Sequence, residues 1–417
     1  MLLLSELGRF GVVDRKKQEA RLFDFSAASL DGEYPLVTSL MFTRADGRVR
    51  ALPWKALLKI RKDDRIIRVE DLDAAEEPDE ETLLNEVLLL RDIQDALVLD
   101  LLNRRATRVN DLVLDFVDGQ LRLHSVDTSL LSILRRLSRG KLGGRPKDNS
   151  LYDWKYIEFL RGDPRAAPKG PMRDLRITRL PSGEIASLTN FLPYLHAAEL
   201  LVLLPDPQAA DTLELMTPER QVQVFEELEE DQALRLLNLM APDSATSLIR
   251  NLKPEIAAQQ LLRLDEVQQR RVVELLRYPA DTVGGIMTND MVYVESGLTA
   301  AEARKRLRKR LKGPDFVDLI YVVEDDDTLE LRGVVSLRNL IIADDKIQLE
   351  ELMDPYLSTL APLDLARVAA YRLVSSHLAA MPVVGNKGQL LGIVTVDAAV
   401  SQIAPAAWGD QAPRIFS

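Results

Sequence analysis

Ile286-Met287-Thr288, followed by Ile320-Tyr321-Val322-Val323 and Arg332-Gly333-Val334-Val335-Ser336-Leu337-Arg338-Asn339-Leu340, is a block that the chain repeats. It returns as Leu352-Met353-Asp354-Pro355, Met381-Pro382-Val383-Val384 and Leu391-Gly392-Ile393-Val394-Thr395-Val396-Asp397. Each copy is too short to bury both faces of its apolar strands, so the two are expected to dock as one unit with a cleft between the halves. A regulatory ligand would sit in such a cleft.

Upstream of this duplication the pattern changes. Proline or acidic caps recur roughly every twelve residues at Asp206-Pro207, Thr217-Pro218-Glu219, Glu230-Asp231, Ala241-Pro242-Asp243, Lys253-Pro254-Glu255 and Asp265-Glu266. Proline fits the first helical turn, where its missing N–H is not needed. Short apolar-periodic runs lie between the caps, such as Leu234-Leu236-Leu237-Leu239 and Leu261-Leu262-Leu264. The expectation is a superhelix of short helices. It joins the duplicated unit through Tyr278-Pro279-Ala280-Asp281-Thr282-Val283-Gly284-Gly285, a tight crossing able to transmit rotation.

The first third reads as strands. Phe10-Gly11-Val12-Val13, Arg21-Leu22-Phe23-Asp24-Phe25 and Leu40-Met41-Phe42-Thr43 alternate around the hairpin signal Asp46-Gly47. Residues 84–138 repeat that plan, with Asp118-Gly119 as the hairpin and a short helix from Leu130 to Leu137. The acidic stretch Glu70 to Glu81 is expected to be a solvated linker, because like charges resist packing. Gly140-Lys141-Leu142-Gly143-Gly144-Arg145-Pro146-Lys147 lacks the Gly-Lys-Ser/Thr ending of a phosphate loop and reads as a flexible joint.

Composition removes whole classes of function. The 417-residue chain has no cysteine and only His124, His196 and His377, which argues against disulfides, thiolate metal sites and histidine-based metal sites. Its net charge of −11 argues against nucleic-acid binding, which depends on a basic surface. No signal peptide and no apolar run able to span about 30 Å of hydrocarbon are expected. No catalytic motif stands out, so the reading is a protein that is not an enzyme.

The superhelix, the junction through Gly284-Gly285-Ile286-Met287-Thr288 and the duplicated unit together resemble the cytoplasmic half of MgtE-type magnesium transporters, an α-superhelical N domain followed by a tandem of CBS domains. Residues 1–140 resemble two PRC-barrel domains. The fold class is therefore multidomain α+β: small antiparallel PRC-like barrels, an α-superhelix and a tandem CBS (βαββα) pair. The expected divisions are barrels at 1–72 and 84–140, a linker at 141–174, the N-like domain at 175–282, CBS domains at 283–345 and 346–405, and a tail at 406–417.

The resemblance implies Mg²⁺ held between acidic faces of the N and CBS domains. Mg²⁺ keeps much of its water and often takes only one or two carboxylates directly. The sequence offers Glu226, Glu227, Glu229, Glu230 and Asp231, with Asp281 at the junction and Asp364 leading the second CBS helix. After Asp364 the chain continues Leu365-Ala366-Arg367, with fewer carboxylates than the family pattern. CBS pairs also bind adenine nucleotides through a Ser/Thr-x-x-Asp motif. Here Ser336 is followed by Asn339 and Thr395 by Ala398, and Asp397 falls one residue early. The nucleotide set is Ser336, Asn339, Pro382, Thr395 and Asp397. The basic run Ala303 to Lys312 reads mainly as a solvated helix face, and Asp325-Asp326-Asp327 as a turn tip.

The functional expectation is a cytoplasmic Mg²⁺-responsive regulator with no pore of its own. It would dimerise through the CBS pair and dock a membrane protein through the PRC-like barrels. The alternatives are an adenine-nucleotide sensor, a passive scaffold, or a soluble subunit of a magnesium transport system.

Overall fold

A computed structural model describes residues 1–27, 30, 33–78, 86–117, 119–138, 144–164, 176–311, 317–355 and 358–403. The chain divides into two compact units, Met1–Pro205 and Asp206–Ser417.

The first unit is built on a duplicated β pattern. One copy supplies β1 (Leu2–Leu3), β2 (Gly11–Val13), β3 (Glu19–Ala27), β4 (Ser39–Thr43), β5 (Val49–Pro53), β6 (Leu57–Arg61) and β7 (Ile66–Val69). The other supplies β8 (Val87–Leu88), β9 (Leu97–Asp100), β10 (Arg105–Arg108), β11 (Asp111–Val117), β12 (Gln120–Asp127), β13 (Leu151–Asp153) and β14 (Ile157–Phe159). The sheets run β5-β4-β3-β2-β7-β6, β1-β11-β12-β13 and β10-β9-β14. Neighbours are antiparallel except β2 and β7, which pair in parallel. At the two expected hairpins Gly47 and Gly119 both take φ +75°, a backbone that glycine adopts without a Cβ clash.

The copies exchange their opening strands. β1 pairs with β11 of the second copy, and β8 pairs with β3 of the first. One apolar core results, running from Leu4, Phe25 and Phe42 through Leu112, Leu123 and Trp154. Two independent barrels would each need a core of their own.

Two boundaries move. Residues 151–159, expected within a linker, form β13 on β12 and β14 on β9. They complete the second copy, since Trp154-Lys155 repeats Trp54-Lys55 at the same bend between strands. The described part of the acidic stretch is packed rather than free. Asp71 pairs with Lys16 at 3.0 Å, Asp73 with Arg44 at 2.9 Å and Glu77 with Arg48 at 3.1 Å, and Leu72 is fully buried. Cations in the turns between neighbouring strands offset the repulsion that a linker reading assumed. Residues 79–81 and 140–143 of the expected linkers, and the tail from 404, lie outside the described residues.

Counting helices longer than one turn, α1 (Leu130–Leu137), α2 (Ser182–Thr189) and α3 (Tyr194–Leu203) complete this unit. Buried Glu199 on α3 accepts the backbone N–H groups of Arg161 and Gly162 at 3.0 and 2.5 Å.

The second unit opens with α4 (Asp206–Glu214), α5 (Pro218–Glu226), α6 (Glu230–Leu239), α7 (Pro242–Asn251), α8 (Pro254–Arg263) and α9 (Glu266–Leu276). Polar ties recur between residues 26 to 28 apart: Gln232 to Asp206, Ala241 N–H to Glu214, Lys253 to Glu226, Asp265 N–H to Asn238, and Gln268 to the Met240 carbonyl. Gln232 to Asp206 joins alternate helices, and at the other four ties two whole helices lie within the interval, so the end of one helix is bonded to the start of the third after it, the stacking of a solenoid.

The C-terminal duplication follows. Its first copy holds β15 (Tyr293–Glu295), α10 (Ala300–Arg310), β16 (Leu319–Val323), β17 (Leu331–Ser336) and α11 (Leu337–Ile342). The second holds α12 (Ala366–Ser376), β18 (Ala380–Val384), β19 (Leu390–Thr395) and α13 (Val396–Ile403). Here too the opening segments are exchanged: Thr288 bridges Ile393 on β19, and Asp354 bridges Val334 on β17. A Cβ at Gly392 would stand 2.5 Å from the Thr288 carbonyl, and one at Gly333 2.9 Å from that of Asp354. The close approach of the other copy's backbone accounts for glycine in both copies of the motif.

Candidate functional site

The junction between superhelix and duplicated unit is locked by one side chain. Arg250, at the end of α7, donates to the carbonyls of Leu275 at 2.8 Å, Tyr278 at 2.6 Å and Gly285 at 3.0 Å. Burial lowers the guanidinium pKa from its ordinary value, and the three carbonyl dipoles are what hold the charge there. A Cβ on Gly285 would lie 2.1 Å from the Pro279 carbonyl, so the crossing requires glycine. Thr282 then bridges Leu365, with Val283 N–H donating to the Asp364 carbonyl at 2.8 Å and Ala366 N–H to that of Asp281 at 2.9 Å. Leu275, Val283 and Met287 enter the core of the second copy with Leu373 and Val394. Arg271 pairs with Asp290 at 3.0 Å.

The antiparallel register of this bridge sets Asp281 opposite Ala366 and Asp364 opposite Val283, so the two acids lie diagonally across it. Both are exposed, and Asp364 Oδ2 accepts the Ala361 N–H at 3.3 Å. The other acids lie elsewhere on the superhelix. Glu226, Glu227, Glu229, Glu230 and Asp231 are all exposed around the α5–α6 turn. Lys253 pairs with Glu226 at 3.2 Å, and Arg263 reaches both Glu230 and Asp231 at 2.9 Å. Sequence reading missed these two cations. Their signal is the two-helix interval itself, which sets Lys253 opposite Glu226. Among the described residues, no group of three or more His, Asp or Glu side chains is placed to hold a metal ion.

Charge is divided unevenly between the units. Residues 1–205 carry 32 Lys and Arg against 32 Asp and Glu, while 206–417 carry 22 against 33. The whole net charge of −11 therefore belongs to the superhelix and duplicated unit.

The nucleotide residues occupy equivalent places in the two copies. Ser336 accepts the Asn339 N–H at 3.1 Å and caps α11, and Thr395 accepts the Ala398 N–H at 3.3 Å at the start of α13. Asn339 is exposed and Asp397 half-buried in the first turn of α13. Pro382 lies on β18 opposite Ile393, and its carbonyl accepts the Leu360 N–H at 2.9 Å. The copies meet through Tyr321, Val323, Val334 and Leu390, an apolar seam.

Three arginines of the basic helix α10 are bonded within their own copy. Arg304 donates to the carbonyls of Leu340 and Ala343 at 2.8 and 3.0 Å and pairs with Asp345. Arg306 pairs with Glu295 at 2.5 Å. Arg310 pairs with Asp326 at 3.0 Å and lies over the Tyr293 ring at 4.3 Å. Lys305, Arg306 and Arg308 are exposed, the solvated face that spacing suggested, while Arg304 and Arg310 are partly buried in these contacts. Asp325 caps its turn by accepting the N–H groups of Asp327 and Thr328.

Fold and junction together define a class, a helical solenoid domain locked onto a duplicated strand-helix unit. Residues 180–281 match the MgtE intracellular N domain, and residues 283–346 and 349–404 match the CBS domain. This part of the chain is an MgtE-type N domain followed by a CBS pair.

The magnesium transporter MgtE of Thermus thermophilus is 38% identical over 138 residues, 32% of this chain and 29% of that protein. MgtE of Bacillus subtilis is 33% identical over 135 residues, with the same coverage of 32% and 29%. The chain thus spans under a third of the length of these relatives. The crystal structure of the cytosolic domain of the Mg²⁺ channel MgtE in complex with ATP aligns with 54% of this chain and 90% of its own, at 29% identity and TM-score 0.51. The soluble part of a magnesium transporter aligns with 54% and 88%, at 26% identity and TM-score 0.50. Among the described residues, no helix is long and apolar enough to cross a membrane.

Proposed function

We propose that this chain is a cytoplasmic regulator of Mg²⁺ transport whose N domain and CBS pair respond to the ion. The observation that carries this reading is the Arg250 lock, which joins the two matched domains across a bridge flanked by Asp281 and Asp364. The concentration of the chain's negative charge in this unit supports it. A hydrated divalent cation relieves repulsion between such carboxylates and favours the compact arrangement.

Glu226, Glu230 and Asp231 already have Lys253 and Arg263 as counter-ions, so Mg²⁺ competes with them rather than filling an uncompensated cluster. The response therefore belongs in the millimolar range. The CBS pair dimerises through α12, where Val368 and Tyr371 remain more than half exposed beside Leu365. The amino-terminal unit, with its two PRC-like copies, docks a membrane protein of the transport system.

Small-angle scattering of the full chain across millimolar Mg²⁺ tests the reading. A falling radius of gyration is the expected result; an unchanged one through that range rejects it. Adenine nucleotide is the second reading, favoured by the matched hydroxyl caps Ser336 and Thr395. It predicts a thermal shift with ATP or AMP in the absence of Mg²⁺. No response to either ligand leaves a scaffold.

A further inference from the structure

Helix α1 is amphipathic with its apolar face outward. Its N-cap Ser129 accepts the Ser132 N–H at 3.3 Å, and Ser132, fully buried, donates to the Ser129 carbonyl at 2.6 Å. Arg135, 3% exposed, pairs with buried Asp127 at 2.8 Å. Arg136 holds Asp95 at 2.7 Å and the Asn110 carbonyl at 2.9 Å. The polar side is thus consumed by the β core. Leu130 and Leu137 are each 77% exposed, and Leu131 and Leu134 are 43% and 47% exposed. Positions 130, 134 and 137 follow the spacing of a single helix face.

Exposed cations follow this helix in the chain. Arg135 also donates to the Gly144 carbonyl at 2.9 Å, tethering the segment that presents Arg145 and Lys147 to solvent. Residues 130–179 hold 13 Lys and Arg against five Asp and Glu, while the rest of residues 1–205 holds 19 against 27. Leucines on one side of a short helix, followed in the sequence by excess positive charge, match the boundary between acyl chains and anionic headgroups. A second copy of the chain is a poorer occupant, because a stable interface needs roughly 800 Å² from each partner and an eight-residue helix offers far less.

We propose that α1, with Arg145 and Lys147, is a docking surface for an anionic lipid membrane. The leucines enter the headgroup boundary and the two cations pair with lipid phosphates. This rests on the first unit alone and stands whether or not Mg²⁺ is sensed.

Co-sedimentation of the full chain with phosphatidylcholine vesicles, with and without phosphatidylglycerol, tests the proposal. Binding should favour the phosphatidylglycerol vesicles at least tenfold. Leu130→Ser with Leu137→Ser should weaken it at least tenfold while the circular dichroism stays unchanged, since both side chains are already exposed. Arg145→Glu with Lys147→Glu should weaken it several-fold and flatten its salt dependence. Absence of binding to phosphatidylglycerol vesicles, or binding that the serine variant leaves intact, overturns the proposal. Loss of self-association in the serine variant with vesicle binding unaltered assigns the face to a protein interface and overturns it equally.

Discussion

Asp24 is 1% exposed and accepts three backbone N–H groups, those of Phe25 at 2.7 Å, Leu90 at 2.8 Å and Arg91 at 3.0 Å. Desolvation outweighs these bonds and raises its pKa to about 6. Its counterpart in the other copy is Asp111, which accepts the N–H and hydroxyl of Ser5 at 3.0 and 2.5 Å and is likewise raised by burial. Each carboxylate caps the turn that follows the strand donated by the opposite copy. The unfolded chain releases the Asp24 proton near pH 3.9, whereas the folded chain holds it to about pH 6. Stability from this group therefore falls as pH rises from about 4 to 6, by an order of 2–3 kcal/mol, and is level above that window. Urea midpoints of the wild type measured against Asp24→Asn should show this difference in slope between those pH values. Parallel curves would mean that Asp24 keeps an ordinary pKa.

At the scale of elements, Arg250 ties α7 to the end of α9 and to the opening turn of the CBS pair. Methionine at that position keeps the unbranched apolar stem of the side chain and removes all three carbonyl bonds. Arg250→Met should cost about 2–4 kcal/mol in urea denaturation of the full chain, the scale of charge-assisted bonds lost from a part-buried site. A loss under about 0.5 kcal/mol would show that the docking of Leu275 on the second CBS core suffices by itself. The strand segments, the helix from Leu130 to Leu137, the solenoid and both duplications were legible because each rests on local periodicity or repetition. The Arg250 clamp was not, because its three acceptors are backbone atoms 25 to 35 residues away.

Across the whole molecule, one device appears twice: a duplicated element whose copies trade their first segments, β1 with β8 and Thr288 with Asp354. The exchange makes each pair one cooperative body. Charge is the second molecular feature, since the acidic unit supplies its own counter-ions at Lys253 and Arg263. Lys253→Ala with Arg263→Ala releases Glu226, Glu230 and Asp231 from those pairs. The midpoint of Mg²⁺-induced compaction should then move several-fold toward lower concentration, because the local field is more negative by two charges. An unmoved midpoint would place the ion at Asp281 and Asp364 instead, away from the α5–α6 turn. Loss of exposed ion pairs alone changes stability by less than about 1 kcal/mol each, so folding should be intact.

The amino-acid order by itself determined the repeats, the helix starts and the acidic positions around Glu230, because those are properties of neighbours in the chain. Tertiary structure decided which acids face a cation, where the second β copy ends and which side of α1 meets solvent. Those outcomes depend on groups distant along the chain. The Arg135 guanidinium draws the polar side of α1 toward Asp127, leaving its leucines outside.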